Sequence, residues 1–298
     1  MEKIMFIYNS LAFAYNFTYE ILEEFIRRNY SVIIVGKDDD FKNKFFSLNA
    51  KIIDIDVNRR GTKIFEEIKL YKQIKKIIKN ERPKLIFTFT IKPNLYGNLA
   101  ANKYGIPVIS RVSGLGSAFQ KKNVIYYITK YLYKKSFKNV KHVFFENEAN
   151  LSVFNKKIMK LKSCSLIPGS GVNITKFNYT EYPNDDDIVR FLFVGRIMKE
   201  KGIEEFLYVA EQLNNPDKVE FHVAGSFEEN YKNIFEKKIN NKEIIYHGYV
   251  NDVKNIMSKM HCIILPSWHE GMSNIMLEAQ SIGRPVIGSN VNGVKETF

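Results

Sequence analysis

Cysteine is almost absent from this 298-residue chain: Cys164 and Cys262 are the only two. They lie far apart, each beside or inside a strand-like run, with no metal-ligand spacing. Buried free thiols in a reducing compartment are therefore expected, rather than a disulfide scaffold. Long apolar runs are missing too, and none approaches the ~20 residues of a membrane span. The opening Met1-Glu2-Lys3-Ile4-Met5-Phe6-Ile7-Tyr8 reads as a strand, since it lacks the apolar length and small-residue cleavage site of a signal peptide. No G-x-G-x-x-G opens a strand–helix unit, and Gly114-Leu115-Gly116 is too short to replace one, so a nicotinamide enzyme has little support. Helix-turn-helix, zinc-finger and RNP patterns are absent, as are internal repeats and low-complexity segments.

What is there divides into two halves. The length and a 45% apolar content allow two buried cores. Residues 1–180 hold 32 Lys/Arg and 14 Asp/Glu, a net +18, whereas residues 181–298 hold 13 and 18, a net −5. A basic half beside a mildly acidic one points to an anionic surface met by one domain. An anionic inner membrane leaflet or the diphosphate of a lipid suits this as well as nucleic acid does, and no nucleic-acid motif accompanies it.

Strand-like runs at Lys3–Tyr8, Ser31–Val35, Lys51–Ile55, Leu85–Thr88, Val108–Ser110, Val143–Phe145 and Ser165–Ile167 alternate with helical patterns such as Tyr15–Arg28, Phe65–Lys79 and Tyr126–Lys138. Thr180 to Asp187 is polar and reads as a linker. The rhythm restarts with strands at Arg190–Val194, Val219–Ala224, Ile244–Tyr246, Cys262–Leu265 and Pro285–Gly288, and with helices at Ile203–Leu213, Asn230–Lys238, Asp252–Met257 and Asn274–Ile282. Such alternation predicts an α/β chain of two doubly wound, Rossmann-like parallel-sheet domains facing across a cleft, residues 1–180 and 188–298. Ligands of such sheets bind beyond the carboxyl ends of the strands.

The most informative stretch, Ser267 to Ala279, sits at such an end. It reads strand, loop, helix N-terminus, with Glu270 in the loop and Glu278 seven intervening residues on, near the second helical turn. Unpaired N–H groups and the positive helix dipole there suit a phosphate or an electron-rich sugar oxygen. Carboxylates repel phosphate, so Glu270 and Glu278 are assigned to hydroxyl groups, and the whole reads as a sugar-nucleotide site. The plain alternative is a capped helix with two solvated glutamates. After the strand Arg190–Val194, Gly195 leaves the backbone open to a ligand. Arg196 and Lys201 follow in the next loop, a bidentate guanidinium and a mobile ammonium suited to a diphosphate. Two ordinary surface cations are the competing reading.

These blocks resemble the retaining glycosyltransferases of family 4, which have the GT-B fold. The resemblance rests on Glu270-x7-Glu278 with Gly271, on Phe191-Leu192-Phe193-Val194-Gly195-Arg196-Ile197 followed by Glu200-Lys201-Gly202, and on Tyr246-His247-Gly248-Tyr249-Val250. It covers nearly the whole chain. It implies that Arg196 and Lys201 hold the donor diphosphate, that Val250 lies by the nucleotide base, and that Gly195, Gly271, Met272, Ser273, Asn274 and Glu278 complete the donor site, with Glu270 catalytic. In the first half, Phe89-Thr90-Ile91-Lys92-Pro93-Asn94, Ser113-Gly114-Leu115-Gly116 and Ile167-Pro168-Gly169-Ser170-Gly171-Val172 resemble a narrower bacterial group acting on undecaprenyl-diphosphate-linked saccharides, with N-acetylgalactosaminyltransferases among them.

Lys92 and Asn94 follow the strand Leu85–Thr88 and are expected to line the cleft. Lys92 is a second catalytic candidate, through a donor or acceptor phosphate, with a solvated loop lysine as the alternative. Asn94, Ser113 and Gly114 are expected on the acceptor side. Relatives outside the narrower group often place a histidine near the reacting sugar. None matches here, since His142 opens a strand, and the family's front-face attack lets the leaving phosphate take the acceptor proton. Phe119–Lys141 interleaves Tyr126, Tyr127, Tyr131, Tyr133 and Phe137 with seven lysines, and is the candidate membrane-facing helix; a core-packed helix with a solvated lysine face is the alternative. Family members continue beyond the position of Phe298, so the second domain reads as incomplete.

The sequence thus predicts a retaining GT-B enzyme. It would move a hexose or N-acetylhexosamine from a UDP-sugar to a glycan or lipid-linked saccharide in cell-surface glycan assembly, without a metal cofactor, at the inner membrane face. A UDP-sugar epimerase shares the fold but lacks the Glu-x7-Glu arrangement. A non-catalytic, transferase-like subunit binding sugar nucleotide or membrane is the reading from another class.

Overall fold

A computed structural model describes residues 1–58, 61, 63–115, 124–183, 187–213 and 215–298. Gly116, Lys121 and Lys122 lie outside the described residues. The chain forms two compact units, Met1–Ile167 and Pro168–Phe298.

The first unit is a seven-stranded, wholly parallel sheet of order β3-β2-β1-β4-β5-β6-β7. Its strands are β1 Lys3–Ile7, β2 Ser31–Gly36, β3 Lys51–Asp54, β4 Leu85–Phe89, β5 Val108–Val112, β6 His142–Phe145 and β7 Cys164–Leu166. The helices between them are α1 Leu11–Arg27, α2 Ile64–Glu81, α3 Asn98–Lys103, α4 Val124–Phe137 and α5 Glu148–Lys157. Alternate strand residues face opposite layers. Met5, Ile7, Ile33 and Val35 pack with Leu70, Ile74 and Ile78 of α2, while Ile4, Phe6, Val32 and Ile34 pack with Leu11, Ala14 and Leu22 of α1. Helices on both faces explain why these strands are near-continuous apolar runs. Ser10 starts α1 by accepting the Phe13 N–H on its hydroxyl.

The second unit repeats the plan in a five-stranded parallel sheet of order β10-β9-β8-β11-β12. The strands are β8 Val189–Val194, β9 Val219–Ala224, β10 Ile245–Tyr246, β11 Cys262–Leu265 and β12 Val286–Gly288, and the helices α6 Ile203–Gln212, α7 Lys232–Asn240, α8 Val253–Ser258 and α9 Asn274–Ser281. Phe193, Phe221 and Val223 meet α6 and α7 on one face, and Leu192, Ala224 and Ile263 meet α8 and α9 on the other. In both sheets the strand order reverses beside the first strand, between β1 and β4 and between β8 and β11. Those reversals are where doubly wound sheets open a crevice.

The division falls earlier than the linker at Thr180 suggests. Residues 168–180 belong to the second unit because their anchors are there. Val172 and Phe177 join its apolar core. Arg284, 2% exposed, binds the Thr180 carbonyl and hydroxyl oxygens and the Glu181 carbonyl. Both cysteines are free thiols, Cys262 buried but Cys164 only half-buried. Among the described residues no helix is long and apolar enough to cross a membrane.

Candidate active site

The second unit carries its site on the loops leaving β8 and β11, the two strands that flank its reversal. From β8 the chain passes through Gly195 and Arg196 to a 3₁₀ turn, Lys199–Lys201, and then enters α6 at Gly202. From β11 it passes through Pro266 to Glu270 and enters α9 at Ser273. Close backbone contacts fix each loop against its neighbour. A Cβ on Gly225 would stand 1.8 Å from the Gly195 oxygen, and one on Gly293 2.4 Å from the Glu270 oxygen. The Trp268 N–H donates to the Glu200 carbonyl at 3.0 Å and its indole N–H to Glu205 at 2.7 Å. Glu270 N–H donates to the Asn292 carbonyl at 3.2 Å and Ser273 N–H to that of Gly293 at 2.7 Å.

Held this way, Lys201 and Glu270 form an ion pair at 2.5 Å, with side chains 19% and 12% exposed. The buried Ser267 hydroxyl donates to the same carboxylate oxygen at 2.9 Å. The other motif residues have different neighbours. Arg196 is half-exposed and its guanidinium lies 3.8 Å from Glu228. Glu278 is half-buried on the second turn of α9, where burial pushes its carboxyl up to about 7 against the opposing charge of Lys176. Ser273 begins α9, but its buried hydroxyl makes no capping bond and has no hydrogen-bond partner. Asn274 donates to the Gly171 carbonyl at 3.3 Å. Met272 packs over Gly169, whose Cβ would stand 2.5 Å from it. The Pro168–Val172 stretch, assigned from sequence to the first half, thus borders the Glu-x7-Glu loop. Val250 packs on the apolar layer with Phe177 and Ile256. Its turn is anchored by Gly225 N–H to the Gly248 carbonyl at 2.7 Å and by His222, whose Nδ1 lies 2.8 Å from His247 Nε2.

In the first unit the expected residues behave differently. The Lys92 ammonium is enclosed, donating to the Asn58 carbonyl at 2.6 Å, to that of Gly61 at 2.8 Å, and to Glu67. All three of its donors are committed, so in this structure it is a cross-brace and not an open phosphate ligand. Asn94 is 1% exposed in the π-type turn Pro93–Gly97 and donates to the Arg111 carbonyl at 2.9 Å, so it faces the core and not an acceptor. Ser113 and Gly114 follow β5, and Gly114 has open space at its Cβ position. The His142 ring nitrogens are held by Ser163 and Ser165 at 2.7 and 2.6 Å, a structural role. Ser267 and Trp268 lie in the stretch singled out from sequence but take no role there, while Glu228 and Lys176 are not singled out at all. The first two adjoin the motif, but Glu228 and Lys176 are remote in sequence and carried no signal.

Residues 3–147 match the family described as glycosyl transferase 4-like, and residues 189–298 that described as glycosyl transferases group 1. The chain is 27% identical to N,N'-diacetylbacillosaminyl-diphospho-undecaprenol alpha-1,3-N-acetylgalactosaminyltransferase of Campylobacter jejuni, over 99% of this chain and 82% of that one. It is 28% identical to UDP-Gal:alpha-D-GlcNAc-diphosphoundecaprenol alpha-1,3-galactosyltransferase of Escherichia coli, over 78% and 65% of the two chains. Among solved structures, Anabaena HepE in complex with UDP and glucose superposes with a TM-score of 0.79 at 16% identity, covering 99% of this chain and 83% of that one. WaaG, a glycosyltransferase involved in lipopolysaccharide biosynthesis, gives 0.74 at 15% identity, covering 97% and 82%. With both units matched in order, and the GT-B fold shared across the whole chain, this protein belongs to the retaining family 4 glycosyltransferases.

Proposed function

We propose that this glycosyltransferase moves a hexose or N-acetylhexosamine from a UDP-sugar to a lipid-linked saccharide or glycan in cell-surface polysaccharide assembly. The observation that carries the reading is the placement of Arg196, Lys201, Glu270 and the α9 N-terminus on the two loops flanking the reversal of the second sheet. Arg196, Lys201 and the helix end supply positive charge for a diphosphate. Glu270 meets the transferred sugar and stabilises its developing positive charge, and Glu278 takes the ribose hydroxyls. Gly195, Gly271, Met272, Ser273 and Asn274 line the donor, with Val250 by the base. With the diphosphate neutralised by side chains, the reaction needs no metal and proceeds in a chelator. The Campylobacter and Escherichia relatives are named for undecaprenyl-diphosphate-linked acceptors, which supports that acceptor class here.

The first unit is the acceptor side, with Ser113 and Gly114 in the loop after β5. Its partner surface is the anionic inner face of the membrane, and the partners do not include nucleic acid. On α4 the exposed residues Tyr127, Ile128, Tyr131, Lys134 and Lys135 recur at helical spacing, while Tyr126, Tyr133 and Phe137 are buried. The helix therefore has both a core face and an aromatic–basic outer stripe. Mass spectrometry of products from a panel of UDP-sugars with polyprenyl-diphosphate-linked acceptors tests the reading. Transfer to a lipid-linked acceptor is expected. Nucleotide binding without transfer or donor hydrolysis would instead make this a transferase-like binding subunit.

A further inference from the structure

Two residues assigned to different parts of the donor are bound to each other. We propose that Glu270 is a placeholder for the donor diphosphate. Paired with the Lys201 ammonium, it is displaced by the incoming diphosphate, which takes that ammonium over and releases the carboxylate to the sugar. The inference rests on the reading of these loops as the donor site.

The pair is specific and shielded. Lys201 Nζ lies 2.5 Å from Glu270 Oε1, the Ser267 hydroxyl donates to the same oxygen at 2.9 Å, and both charged side chains are under one-fifth exposed. One carboxylate oxygen therefore accepts from two donors, which fixes the rotamer pointing at Lys201. The backbone beneath does not depend on the pair. Trp268 ties the Glu270 loop to Glu200 and Glu205, and Glu270 N–H is tied to Asn292. Opening the contact thus requires side-chain rotation and no loop movement.

Charge decides the exchange. A diphosphate carries more negative charge than one carboxylate and offers several oxygens, so Lys201 transfers to it. Glu270 left beside the diphosphate would be repelled, which drives the side chain away toward the hydroxyl groups of the sugar. Until that happens Glu270 is not available to a sugar, so the site registers the diphosphate before it engages the glycosyl group. The cost of opening the pair is subtracted from nucleotide affinity.

Calorimetry with UDP and with uridine, on the wild type and on Glu270→Gln, Glu270→Asp and Lys201→Met, tests this. Aspartate keeps the charge but is one methylene short of Lys201. Both Glu270 variants are expected to bind UDP roughly 3- to 30-fold tighter and uridine unchanged, which also shows that the site is folded. Tighter UDP binding by Glu270→Gln alone would mean plain charge repulsion, and no gain in either would mean no exchange; both results overturn the proposal. If Lys201→Met leaves UDP affinity intact, the donor-site reading itself falls, an outcome separate from either of these.

Discussion

Gly202 and Pro266 are set against each other: a Cβ on Gly202 would stand 2.0 Å from the Pro266 carbonyl oxygen, and Gly202 has φ +77°. The glycine lets the turn bearing Lys201 reach the loop bearing Glu270. Gly202→Ala meets both a backbone clash and left-handed strain, so a loss of about 3 kcal/mol or more in urea unfolding is expected. Gly248→Ala, at φ +68° with nothing within 4 Å of its Cβ position, is expected to lose only about 1 kcal/mol.

Glu278 makes stability depend on pH. Burial raises its carboxyl from 4.5 to about 7 in the folded protein. Above 4.5 the unfolded chain releases the proton while the folded protein keeps it, so the contribution is full below 4.5 and is lost as pH rises toward 7. The loss is at most about 3 kcal/mol. Urea unfolding of Glu278→Gln at pH 5 and pH 8 is expected to remove this fall, making the variant the relatively more stable form at pH 8.

Arg196 stands half-exposed, its guanidinium 3.8 Å from Glu228. Arg196→Ala is expected to weaken UDP binding roughly ten- to a hundredfold, as the loss of one charge-assisted contact does. Isothermal calorimetry reads the change directly.

Lys92 separates structural from catalytic roles. Its ammonium and the Glu67 carboxylate are 12% and 19% exposed. Lys92→Met takes the ammonium from that carboxylate and from two carbonyls, so a loss of about 2 kcal/mol in unfolding free energy is expected. UDP affinity is expected to stay at the wild-type value, in contrast with Arg196→Ala.

The basic stripe on α4 predicts salt-sensitive binding to membranes. Each lysine near an anionic leaflet contributes roughly 1 kcal/mol, and screening removes much of it. Co-sedimentation with anionic vesicles is expected at low salt, with little at high salt or on neutral vesicles. Changing Lys130, Lys134, Lys135 and Lys138 to Gln is expected to reduce it at least tenfold.

The sequence by itself determined the two doubly wound sheets. Buried parallel strands need near-continuous apolar runs, and helices covering them need a 3.6-residue apolar period, both of which are local patterns. It also singled out the two loops proposed for the donor, because a strand end, a glycine and a following charged residue are neighbours along the chain. The tertiary structure decided which charges meet. Lys201 reaches Glu270, Arg196 reaches Glu228 and Lys92 is absorbed by Glu67 because parallel crossovers bring remote strand ends and helices side by side. Such pairings leave no trace in local spacing. Burial decided the rest. Asn94 sits inside the π-type turn and Glu278 keeps its proton to a higher pH than a solvated carboxyl because of how much water packing excludes, a property of the folded whole. The unit boundary moved to Ile167 for the same reason: Val172 and Phe177 find their apolar partners in the second core, whatever the polar run at Thr180 suggests.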